Sequence, residues 1–194
     1  RDASDGSRIL RVMLNIDPIA TQSKLFALLE SEVSEKRLFA LESLIELPHS
    51  PADFLQKLRS LGEDPDSEVA LTAAAALAHA EDLSEDALSI YRKRLGSPPS
   101  DAEDQFAAGL GILARSSTEV REIIVRALAG GHGGERLSME AAEWLGSRDL
   151  KVLRAIEKLS VSADAEIRAM AKEALRVLDE PGVENESRTE FPAK

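Results

Sequence analysis

The sequence predicts an all-α fold, a right-handed α-solenoid of about five stacked helix-turn-helix units of 33 residues each. Three observations lead there. A 33-residue period runs through most of the chain, and repeats of that length are built from stacked supersecondary units. Hydrophobic residues make up 43% but aromatics only 4%, so alanine and leucine must fill the core, a bias that suits close-packed helices better than sheets. No segment sustains the period-two alternation of a strand.

Five rows of 33 residues stack without a gap: Asp17–His49, Ser50–Asp82, Leu83–Arg115, Ser116–Arg148 and Asp149–Pro181. Alanine recurs at Ala75, Ala108, Ala141 and Ala174, with Glu42 as the exception in row one. A small residue followed by leucine recurs at Ser43-Leu44, Ala76-Leu77 and Gly109-Leu110. Large apolar residues recur at Leu25, Leu58, Tyr91 and Ile124, but row five places Glu157 there, so its first helix is expected to be slipped or shortened.

Each row reads as two helices. First helices start at cap residues, twice with a following proline: Asp17-Pro18, Ser50-Pro51, Ser84, Ser117 and Ser147. Second helices are expected to begin near Ser34, Asp66, Asp101, Glu135 and Asp164. Gly62, the Gly96-Ser97-Pro98-Pro99 stretch and the run from Gly130 to Gly134 break the helices between them. Phe54, Leu55, Leu58 and Leu61 make one apolar face in row two, and Ile167, Ala171, Ala174, Leu175 and Leu178 do so in row five. The alanine column is expected to let helix axes approach to roughly 8 Å. Residues 1–16 hold Ile9, Leu10, Met13 and Leu14 and read as an N-terminal helix, either a cap or half of a preceding row. Residues 182–194 read as a loose polar tail. A start at Arg1 suggests a processed or excised N-terminus.

A net charge of −11 argues against nucleic acid as a partner, because that binding depends on neutralising phosphates. Much of the acidity sits at expected helix starts, as at Asp64, Asp66 and Glu68, at Glu85 and Asp86, and at Asp101, Glu103 and Asp104, where carboxylates meet free N–H groups. With no cysteine there is no disulfide and no thiolate chemistry, and the compartment stays open with the cytoplasm slightly favoured. The apolar stretches are too short for membrane insertion.

The second helices carry a family likeness. Asp164-Ala165-Glu166-Ile167-Arg168, followed by Ala171, Ala174 and Leu175, resembles the second helix of a HEAT repeat, and Asp64-Pro65-Asp66-Ser67-Glu68-Val69 with Ala73, Ala76 and Leu77 resembles the same unit. Arg168 matches the arginine that the family favours after the aliphatic residue, whereas Ala70 departs from it. The period is also close to that of tetratricopeptide repeats, a second and weaker likeness carried by Ala87-Leu88 through Leu95 and by Leu110-Gly111. The ankyrin Thr-Pro-Leu-His signature is absent.

No catalytic, metal or cofactor constellation emerges. His49, His79 and His132 form no close pair on one helical face, and none precedes a glutamate. The run from Gly130 to Gly134 follows a helix and lacks the Gly-Lys-Ser/Thr ending of a phosphate loop, so it reads as a connection. The serines sit mostly at caps, with no neighbouring base.

One face of the second helices is apolar where a solvated face is expected. Along the 33-residue frame one column reads Leu38, Leu71, Asp104, Leu137, Met170 and the next Ile45, Ala78, Gly111, Trp144, Val177. In row two, Leu71 and Ala78 point nearly opposite to Val69, Ala73, Ala76, Leu77 and Ala80. In HEAT-like solenoids this face lines the concave surface, so the resemblance implies an apolar groove for a partner protein or peptide. The competing reading is that the helical phase differs, or that curvature buries these positions between neighbours. The expected function is a non-catalytic protein-interaction scaffold. The alternatives are an enzyme or accessory factor on the same fold, as in bilin lyases and DNA glycosylases, or a structural segment of a larger protein.

Overall fold

The computed structural model describes residues 16–45, 52–130, 133–146 and 149–179. The segments expected as an N-terminal cap (up to residue 15) and as a polar tail, together with His49, Ser50-Pro51, His132 and Ser147, lie outside those residues. Among the described residues the chain is all-helical: α1 (Pro18–Leu28), α2 (Ser34–Ile45), α3 (Ala52–Leu61), α4 (Ser67–His79), α5 (Glu85–Arg94), α6 (Glu103–Ser116), α7 (Thr118–Ala129), α8 (Glu135–Leu145), α9 (Leu150–Leu159) and α10 (Ala165–Asp179).

Side-chain caps set most of the starts. Asp17 accepts from the Ala20 N–H at 3.0 Å, with Pro18 at the first helical position. Asp66 accepts from Glu68 and Val69, Ser84 from Ala87, and Ser117 from Val120, each satisfying an N–H that has no partner within its helix. Burial pushes the Asp66 carboxyl up, but the Val69 and Glu68 N–H groups, together with Ser34 and the charge of Arg37, outweigh it and hold the carboxyl below its ordinary range. Asp164 caps α10 through Glu166 and Ile167. α6 begins two residues after the expected Asp101, because Pro98-Pro99 delays it and Glu103 folds back onto the Ser100 N–H at 3.1 Å.

Row five shows what its displaced apolar residue means. Asp149 caps α9 through Lys151 at 2.8 Å, and the buried residue is Ile156, with Glu157 exposed. Ile156 stands two helical turns after its cap, as Tyr91 does after Ser84 and Ile124 after Ser117. The helix is slipped by one residue and not shortened, since α9 and α5 are both 10 residues long.

The second helices touch in chain order, α2 to α4 to α6 to α8 to α10, and the first helices α3, α5, α7 and α9 form a similar series. An edge-on contact of Phe26 with Phe54, centroids 6.0 Å apart, joins α1 to α3. Tyr91, fully buried, packs against Phe106 and donates its hydroxyl to the Asp82 carbonyl at 3.0 Å. The core is densest in α4 and α6, where runs such as Val69–Ala75 and Phe106–Gly111 are buried without interruption.

Small residues explain that density. Ala75, Ala108, Ala141 and Ala174 are all buried. A Cβ added at Gly111 would lie 2.3 Å from the Ala141 carbonyl oxygen, and one at Gly109 would lie 3.2 Å from the Ala78 methyl. The α4–α6 and α6–α8 crossings are therefore backbone-close. Arginines tie rows together at the edges: Arg37 donates to both Asp64 oxygens at 2.7 and 2.8 Å, Arg59 to Asp82 at 2.7 Å, and Arg94 to the Gly62 carbonyl at 2.8 Å. Arg37 and Arg168 each also reach the carbonyl six residues earlier, of Ser31 and Ser162. Rows one and five thus share a local arginine fold-back.

Candidate interaction surface on the second helices

The ten residues of the expected apolar face separate into two groups. Leu71, Ala78, Gly111 and Leu137 are buried, at 2% exposure or less where a value applies to a side chain. The open groove expected at these four positions is closed. The alanine and glycine contacts bring α4, α6 and α8 so close that the flank of one second helix covers the outward leucine of the next. A single-helix projection gives direction but carries no information on how near the neighbour lies.

The other six retain access to solvent. Leu38, Trp144, Met170 and Val177 are half-buried, while Ile45 and Asp104 are exposed. Apart from Asp104 and Trp144 they belong to α2 and α10, the outermost second helices among the described residues, which have a described second helix on one side only. The Trp144 carbonyl accepts from Arg115 at 2.8 Å, a further link between α6 and α8.

The structure adds a feature that the apolar columns miss. A surface cleft of about 450 Å³ lies between α8 and α10, with Met139, Ala169 and Met170 beside Glu140, Glu143 and Glu173. Its sequence signal is present in the repeat frame. Leu41, Ala74 and Ala107 are buried in rows one to three, and the same column reads Glu140 and Glu173 in rows four and five. Leu44, Leu77 and Leu110 are likewise buried, and their column becomes Glu143 and Arg176.

Glu140 is electrostatically exceptional. One carboxylate oxygen lies 3.6 Å from Arg136, while the other is shut off from solvent and has no hydrogen-bond partner. Arg136 is already engaged by Glu103, its Nη1 and Nη2 each donating to one carboxylate oxygen. Burial pushes the Glu140 carboxyl above its ordinary range; Arg136 pulls it back, and the charges of Glu103, Asp104 and Glu143 push the same way as burial. Glu173 pairs with Arg176 in the open, at 2.6 and 3.0 Å.

The arrangement sets three carboxylates beside apolar side chains at one cleft. Among the described residues no group of three histidine, aspartate or glutamate side chains is placed to hold a metal ion, and His79 is exposed near the α4–α6 crossing. No helix among them is long and apolar enough to cross a membrane. Comparison of the chain with protein-family models, with curated proteins and with solved structures gives no match.

Proposed function

We propose that this chain is a non-catalytic protein-interaction scaffold: a right-handed, HEAT-like solenoid of five helix pairs that binds a partner protein or peptide on the face of its second helices, at the cleft between α8 and α10. One observation carries the reading. Two columns that are apolar and buried in rows one to three become Glu140, Glu143, Glu173 and Arg176 in rows four and five, and an accessible cleft lies beside them. Stability alone favours leucine or alanine at such positions, because each buried methylene contributes roughly 0.8 kcal/mol. A chain that places carboxylates there gives up core in exchange for a surface that another molecule can read. The serial contacts of second helix with second helix support the solenoid, and Arg168, directly after Ile167, supports the HEAT-like resemblance.

The test is site-specific photo-crosslinking in cells that make the protein. A photoreactive residue replaces Met170 in one variant and the exposed Ser89 on α5 in another. Adducts with a discrete partner are expected from position 170 and not from position 89. Equal labelling from both positions, or none from 170, overturns the reading.

A further inference from the structure

Resting on the scaffold reading, we propose that the partner segment taken by the α8–α10 cleft is basic and amphipathic, laying an aliphatic side chain on Ala169 and Met170 and presenting a lysine or arginine to the carboxylates of Glu140, Glu143 and Glu173. Three features of the cleft point to this occupant. Its accessible apolar part is Ala169, exposed, and Met170, half-buried, and an unbranched, polarizable methionine side chain adapts to aliphatic groups of varied shape.

The second feature is charge. Glu140, Glu143 and Glu173 line the cleft, and Asp104 stands exposed on α6 near Glu140. Arg136 is held by Glu103 and Arg176 by Glu173. A cleft lined by three carboxylates favours a basic segment over phosphates. The third is the Glu140 carboxylate itself, half-buried, whose Oε1 lies 3.6 Å from an Arg136 that Glu103 already engages. A cationic head placed beside Oε1 gives that carboxylate a closer partner, and the methylene stem of lysine or arginine covers apolar surface as it does so.

The experiment measures fluorescence anisotropy of two labelled peptides with the whole chain. One is a short amphipathic peptide of lysine and leucine; the other has glutamate in place of lysine. The lysine–leucine peptide should bind, and its affinity should fall as salt shortens the screening length from about 10 Å at 0.1 M to about 3 Å at 1 M. The nearly isosteric Glu140→Gln/Glu143→Gln variant should weaken it by roughly tenfold or more, and Met170→Ser should weaken it too. Circular dichroism checks that both variants remain folded. Equal affinity for the glutamate–leucine peptide, or unchanged binding by the folded glutamine variant, overturns the proposal. So does a concentration-dependent dimer that is lost in Met170→Ser, which assigns the cleft to a second copy of the chain. Failure of the native chain to bind the lysine–leucine peptide, while position 170 still crosslinks a partner, sinks this inference and leaves the scaffold reading standing.

Discussion

A methyl group added at Gly111 would sit 2.3 Å from the Ala141 carbonyl oxygen and 2.5 Å from the Trp144 Cβ. Neither atom belongs to a flexible side-chain end, so relief requires α6 and α8 to move apart. Gly111→Ala is expected to destabilise by about 1–3 kcal/mol, and by more than Gly134→Ala, whose nearest contact, 3.3 Å from the Ala127 methyl, asks that neighbour for only a small shift. Urea denaturation midpoints of the two variants make the comparison, and equal midpoints would contradict the close crossing. Glu140 poses the opposite problem, a charge that folding disfavours. Its carboxyl is raised on folding, so the folded state holds the proton more tightly and stability falls as pH rises through the window above the unfolded value of about 4.3. Glu140→Gln should therefore be more stable than the native chain at pH 7, by less than about 1 kcal/mol because the side chain is partly solvated and the attraction to Arg136 is lost. The advantage should vanish in acid below the unfolded value, where Glu140 is protonated in both states. Melting curves across that range read it; a less stable glutamine variant at pH 7 would mean that Arg136 outweighs burial.

Within elements, α2 and α4 make the clearest contrast. Leu71 and Leu137 are at 0% and 1% exposure in α4 and α8, whereas Ile45 at the end of α2 is at 40%. Leu71→Glu/Leu137→Glu places two carboxylates in apolar sites without partners, at a cost of several kcal/mol per charge. The double variant should lose its cooperative thermal transition at neutral pH, while Ile45→Glu should shift stability by only about ±0.5 kcal/mol. Circular dichroism melts separate the two, and a native-like melt of the double variant would reopen the central face. Element starts were largely legible in advance because a cap is a local device: Asp17, Asp66, Ser84 and Ser117 act within three residues of themselves. The exceptions also have local causes, Pro98-Pro99 before α6 and, before α9, a cap at Asp149, two residues after the expected Ser147.

Across the whole molecule, burial rises toward the middle of the helix series. α4 and α6 bury most of their length, while α1 buries Thr21 and Leu25 and α10 buries Ala171 and Ala174. Where each unit leans on its neighbours, stability is a sum of unit and interface terms, and outer units open at lower free energy. Native-state hydrogen exchange should be slowest in α4 and α6 and faster in α1 and α10, and uniform protection would indicate a single cooperative block instead. The alternation of caps, breakers and apolar faces made an all-helical chain readable from the sequence, since each signal acts over a few residues. The change of two core columns to Glu140, Glu143, Glu173 and Arg176 was equally present in the 33-residue frame. What only the tertiary structure decided is which outward residues stay outward. Leu71 and Leu137 carry the same local pattern as Met170, yet they are covered because α4, α6 and α8 approach at backbone distance through Ala75, Ala78, Gly109, Gly111 and Ala141. Burial is a property of the space between helices, and that distance is set by contacts between rows rather than by the order of residues along one helix.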